Sequence, residues 1–164
     1  MADVPGHSSA WVRGVLHLFA SQGVESGWLL HEAGVDPERL HHSHERFTLP
    51  EVNRLWALAV EKSGKQTLGL DRALARRHIH FNIADQAMWS SPDLGSGLAV
   101  LSQYLRLICD ASTFSLVPER NDRWIVLDYG TEPDSCRQRV ESAMFSTLLL
   151  CQRVDHRIER AGSG

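Results

Sequence analysis

The residues best suited to chemistry in this sequence are its histidines, and they gather mainly in two places. His41, His42 and His44 stand beside Glu45 in a polar stretch. Imidazoles this close can ligate a transition metal, but a metal needs its ligands at defined spacing. His-His-x-His matches neither a helical pair four residues apart nor a structural zinc pattern, so a solvated loop is expected. The second cluster is Arg76-Arg77-His78-Ile79-His80-Phe81-Asn82. It admits three readings: an exposed basic loop, a segment folded over a ligand pocket with His80 or Asn82 pointing inward, or a metal or haem site through His78 or His80. For the third, the sequence positions no second ligand group.

Catalytic constellations are missing. There is no G-x-S-x-G, no P-loop, no H-E-x-x-H and no glycine fingerprint after a strand. Asp85 with Asp93, or Glu51 with Glu61, can be called paired carboxylates, but helix capping and exposed faces explain them more cheaply. Cys109, Cys136 and Cys151 fit no disulfide framework or zinc motif, and each stands in apolar or helical surroundings, where a reduced, packed thiol is expected. The chemistry to expect is binding, with no cofactor and no enzymatic activity.

The elements that would position a binding site are mostly helices. The centre of the fold is read at 90–107, where Ser91 is the expected N-cap and Pro92 the first helical residue. Leu94, Leu98, Leu101, Leu105 and Ile108 then recur at spacings of four, three, four and three, one stripe of an α-helix. Val100, Tyr104 and Leu107 widen that stripe, which predicts burial on more than one side. Before it, Ser8 or Ser9 starts a helix that stops at Gly23. Ser26 to Ala33 forms a second, ended by Gly34, and Asp36-Pro37 restarts a turn. Thr48-Leu49-Pro50-Glu51 is a capping box opening a helix to Gly64.

After the central helix the period changes to two. Phe114 and Leu116 share one strand face; Ile125, Leu127 and Tyr129 share a face of the next strand, across a turn at 119–122. A long helix from Asp134 to Ile158 follows, with Val140, Ala143, Met144, Leu148, Cys151, Val154 and Ile158 on one face. The fold class is therefore α+β and predominantly helical: short helices packed around a small antiparallel hairpin (112–129), with a long C-terminal helix.

Composition sets outer limits. At 164 residues, 43% hydrophobic and 23% charged, the chain reads as one ordinary globular domain. A net charge of −3 argues against its gripping a phosphate backbone unaided. Neither a signal peptide nor an apolar run long enough for a membrane is visible, so a cytoplasmic protein is expected.

Several pieces taken together resemble one family. Met88-Trp-Ser-Ser-Pro92, the Leu94-Gly-x-x-Leu helix with Tyr104-Leu-Arg-Leu107, and then a hairpin are similar to the helix-rich N-terminal effector domain of AraC-type bacterial transcription regulators. Val12-Arg-Gly-Val-Leu16, Ala33-Gly-Val-Asp-Pro37 and Leu68-Gly-Leu70 fit the same pattern. The Arg76–Asn82 stretch departs from it, since that connection is usually small and glycine-rich. The resemblance implies a ligand-sensing, dimerising domain that binds a small-molecule effector and meets DNA only through a helix-turn-helix part. That part is not in this sequence, and the effector domain itself is expected to be shortened at its C-terminal end. The pocket candidates are His80, Phe81, Trp89, Tyr104 and Arg106, amphipathic or polar groups in or beside the most apolar helices. A homodimer is expected, with Leu149 or Leu150 of the long helix at or near the contact.

Overall fold

In the computed structural model, residues 5–78, 83–120, 122–128 and 136–162 are described. A two-residue strand β1 (His7–Ser8) leads into α1 (Ser9–Ala20), where the Ser8 hydroxyl accepts from the Trp11 N–H at 3.3 Å. The short helix α2 (Ser26–Ala33) is capped by the Glu25 carboxylate, which accepts from the N–H groups of Gly27 and Trp28. It stops at Gly34, whose φ of 70° is the left-handed conformation a C-cap uses. Asp36 caps a 3₁₀ turn, Pro37–His41, and strand β2 (Arg46–Phe47) pairs antiparallel with β1.

The capping box is formed as read. In α3 (Leu49–Ser63) the Glu51 carboxylate accepts from the Thr48 N–H at 2.7 Å while the Thr48 hydroxyl accepts from the Glu51 N–H at 3.3 Å. A 3₁₀ turn (Leu68–Leu70) precedes α4 (Arg72–His78) and α5 (Ile83–Trp89). The central helix is α6 (Leu94–Ile108). Strands β3 (Thr113–Glu119) and β4 (Asp122–Asp128) form the expected hairpin, with Phe114 opposite Leu127 and Leu116 opposite Ile125. The long helix is α7 (Arg137–Gly162). The fold is thus predominantly helical with two small two-stranded antiparallel sheets. The β1–β2 pair is too short for alternation to announce it.

Three expectations shift. The cap of α6 is Asp93, not Ser91: the Asp93 carboxylate accepts from the Ser96 N–H at 2.8 Å and its hydroxyl at 2.7 Å. Two bonds to a charged acceptor outweigh one from a hydroxyl, and Ser91 instead closes the preceding helix by donating to the Ala87 carbonyl at 3.1 Å. Second, α6 buries one stripe only. Leu98, Leu101 and Ile108 are inside, but Tyr104 and Leu107 are 37% and 56% exposed, because α5, β3 and α7 all pack on the same side of the helix. Third, α7 is rotated from the stripe read for it. Arg139, Ser142, Leu149, Leu150 and Val154 face inward, while Met144 and Leu148 are exposed. The expected start of this helix at Asp134, and Tyr129 of the hairpin, lie outside the described residues.

Two hydrophobic cores result. The first gathers α1, α2 and α3 around Phe19, Phe47, Leu55 and Trp56; the second joins α5, α6, the hairpin and α7 around Met88, Leu101, Phe114 and Leu150. Trp11 packs against both. Their seam includes a short run of polar bonds. Gly6 N–H donates to Asp110 Oδ1 at 2.6 Å, Asp110 N–H to the Gly6 carbonyl at 3.2 Å, and Arg46 Nη1 to the Leu107 carbonyl at 3.2 Å. At Gly6 a Cβ would lie 2.2 Å from the Phe47 carbonyl oxygen, so only glycine lets the strand approach this closely.

Candidate functional site

Where the two cores meet, they leave a cavity of about 80 Å³. Its position follows from side-chain size along α7. Ser142, Ala143, Ser146 and Thr147 line it with small side chains, where larger ones would fill the space between α3, α6 and the hairpin. Leu101, Leu105 and Ile108 of α6, with Phe114 and Leu127 of the hairpin, make its apolar wall. The first core contributes Trp56 and Trp11, and β1 contributes His7, whose ring stacks on Trp11 with centroids 3.9 Å apart.

Polar groups on this wall are few and deeply placed. Arg139 is 2% exposed, and its Nε donates to Asn53 Oδ1 of α3 at 2.6 Å, a bond across the cores. Trp56 is equally buried and stands edge-on to Phe19, centroids 4.8 Å apart. Its Nε1–H finds no acceptor among the described residues. A buried indole N–H usually has a partner. Arginine and tryptophan only donate, so their presence suits an occupant that accepts hydrogen bonds. Asp85 of α5 also reaches the lining. Burial pushes the Cys109 thiol above its ordinary pKa despite the Arg139 charge, so it stays a protonated wall group.

A second concavity is larger and drier. An open groove of about 900 Å³ runs between α6, the hairpin and α7, lined by Leu94, Leu98, Leu116, Ile125, Met144, Phe145 and Leu148 with Leu70 at its edge.

Of the residues chosen from sequence, Trp89, Tyr104 and Arg106 are not among those that line the cavity. Tyr104 and Arg106 are exposed on the outer side of α6. Trp89 is half-buried beneath the guanidinium groups of Arg153 and Arg157, 5.1 and 5.6 Å from its ring. His80 and Phe81 lie outside the described residues, as does the side chain of His78, and with them the reading of a metal or haem site through His78 or His80. The His41, His42 and His44 cluster is exposed, and among the described residues no three His, Cys, Asp or Glu side chains are grouped to hold a metal ion. Leu149 and Leu150, expected at a dimer contact, are buried in the chain's own second core, so Met144 and Leu148 are the accessible apolar residues of that helix.

What sequence reading missed was Trp56, Arg139 and His7. Trp56 was recognised only as a core residue. For Arg139 a signal did exist: Arg139, Ser142, Ser146 and Leu150 fall at spacings of three, four and four, so the arginine shares an inward stripe with two serines and a core leucine.

The family model for the N-terminal arabinose-binding domain of AraC transcription regulators matches residues 23–160. No curated protein matches the chain.

Proposed function

The chain belongs to the family of N-terminal arabinose-binding domains of AraC transcription regulators, and we propose that it senses a small-molecule effector bound in the cavity between its two cores. One observation carries the placement: the cavity is walled by both cores, yet holds a buried indole N–H with no acceptor among the described residues and a buried guanidinium. Ligand sites are typically apolar concavities of about 300–1,000 Å³ with a few placed polar groups; this one has that kind of lining in about 80 Å³, so an occupant is very small or widens the cavity on entering. An occupant with an acceptor atom would satisfy Trp56 while its apolar part meets Leu101, Leu105 and Phe114.

The activity proposed is binding alone, without a chemical step. DNA would be met through a separate helix-turn-helix part, a reading supported by the net charge of −3. Two copies would associate through the apolar groove face, where Leu148 is 52% and Leu70 45% exposed. No helix among the described residues is long and apolar enough to cross a membrane.

A thermal-shift screen of amino acids, organic acids, sugars and diffusible signalling molecules tests the reading, since a ligand of the folded state raises the midpoint by mass action. Any hit is then repeated on Ser142→Leu, which fills the cavity from α7. Loss of the shift in that variant is expected. An undiminished shift in a folded Ser142→Leu chain places the effector elsewhere and refutes the assignment.

A further inference from the structure

A cleft of about 410 Å³ opens between α4 and α7, away from the effector cavity. It is lined by Arg72 and Arg76 from α4 and by Leu149, Gln152, Arg153 and His156 from α7. Three arginines meet in one concavity of a chain that carries net negative charge. Several other arginines are engaged: Arg39 with Glu45 and Glu51, Arg46 with Asp110, Arg137 with Glu141. The cleft arginines are not. Among the described residues, Arg72 and Arg76 have no ion-pair or hydrogen-bond partner, and Arg153 has the Trp89 ring as its one contact of this kind. Among the described residues no carboxylate neutralises them. Asp71 spends its carboxylate on the N–H groups of Ala73 and Leu74, and Asp155 forms no ion pair.

Gathering three unneutralised guanidinium groups costs free energy through mutual repulsion, and an anion between them reverses that cost. Guanidinium donors match phosphate oxygens in pairs, and the stacking on Trp89 holds one of them in orientation before any ligand arrives. We propose that this cleft binds the phosphate groups of a small polyphosphate-bearing molecule, either a nucleoside diphosphate or free pyrophosphate. A concave site favours a small polyanion over a duplex backbone, which needs an extended basic face that this acidic chain lacks. The proposal stands independently of the effector cavity.

Isothermal titration of the whole chain with sodium pyrophosphate, ADP and, as a control, sodium sulfate at matched ionic strength provides the test. Arg72→Gln, Arg76→Gln and the remote Arg120→Gln are titrated in parallel, with melting curves to confirm folding. Saturable binding of pyrophosphate and ADP is expected, weakened about tenfold or more by each cleft substitution, as for a lost charge-assisted bond, and unchanged by Arg120→Gln. Arg72 and Arg76 are exposed, so their replacement should leave the melting midpoint near that of the parent. Binding of ADP alone would assign recognition to the nucleoside and overturn the proposal. So would the absence of saturable binding, equal affinity for sulfate, or cleft variants that bind as tightly as the parent. Binding of a 20-base-pair duplex that the cleft variants abolish, with pyrophosphate inert, would overturn it in favour of nucleic acid.

Discussion

Trp56 is where stability and function should come apart. Its ring is 3% exposed and edge-on to Phe19, so Trp56→Ala removes a large buried group and should cost about 3–5 kcal/mol. Trp56→Phe is different in kind. It keeps a six-membered ring against Phe19 but deletes the Nε1 donor that has no acceptor among the described residues. Removing a buried unsatisfied donor recovers about 1–3 kcal/mol. Against that, the shorter side chain enlarges the cavity; at about 24 cal/mol per Å³, an added gap of roughly 40 Å³ costs about 1 kcal/mol. The balance runs from zero to about 2 kcal/mol in the variant's favour, so Trp56→Phe should be at least about as stable as the parent. Urea denaturation followed by circular dichroism measures both variants, with the slope checked for constancy. For any effector that shifts the parent's melting midpoint, Trp56→Phe should weaken binding about three- to tenfold, the worth of one neutral hydrogen bond. If Trp56→Phe costs as much as Trp56→Ala, ring volume decides this site and the orphan donor explains nothing.

Burial pushes the Glu51 carboxyl up, but its bonds to Arg39 and Thr48 outweigh that and hold it below the usual carboxylate range. The stability it lends is therefore present above that range and lost as pH falls through the depressed pKa. Arg39→Met should cost about 1–2 kcal/mol at pH 7, since these groups are about a quarter to a third exposed. It should also shrink the loss of stability between pH 7 and 3, which urea titrations across that range measure. Leu150→Ala should cost about 2–5 kcal/mol and Leu149→Glu should unfold the chain, both visible by circular dichroism. Leu148→Glu should stay folded and reduce association by light scattering at micromolar concentration; a strictly monomeric parent would sink the homodimer. Asp93→Ala should lower the melting midpoint more than Ser91→Ala, because Asp93 supplies the cap of α6.

Local signals in the sequence were reliable where one residue type has one physical use. Thr48 with Glu51, Asp36 before Pro37, and Gly34 after Ala33 each satisfy free backbone groups at a helix end, and each falls where it was read. The hairpin's period of two placed Phe114 and Leu127 on the inner face. What failed was the phase of the buried faces. Both α6 and α7 carry more apolar residues than one stripe needs, so the pattern alone does not say which of them faces the core. The hairpin and α5 decide it, by packing on one side of α6. The cavity was less legible still, since it is made by what is small. Ser142, Ala143 and Ser146 mark an absence of side-chain volume, which becomes a site only once α7 lies against Trp56 and Leu101.

The placement of the cavity also bears on how an effector would act. An occupant touches Trp11 and Trp56 of the first core together with Leu101, Ile108 and Phe114 of the second. Elsewhere the two cores are joined by polar bonds around Gly6, Arg46 and Asp110 and by the packing of α7 on α3, α4 and the Leu68–Leu70 turn. A ligand contacting both cores has affinity for the arrangement in which they meet and loses contacts in any arrangement in which they separate. That difference is the only lever a ligand has on a conformational equilibrium, and couplings of this kind run to about 1–3 kcal/mol. The Arg139–Asn53 bond lies on the same boundary, joining α7 to α3 across the cavity wall. An effector held there would act on the joint between α3 and α7 directly, and α7 is also the helix that presents Met144 and Leu148 on the open groove. In this reading one helix connects the effector's contacts to the surface through which a second copy would be sensed.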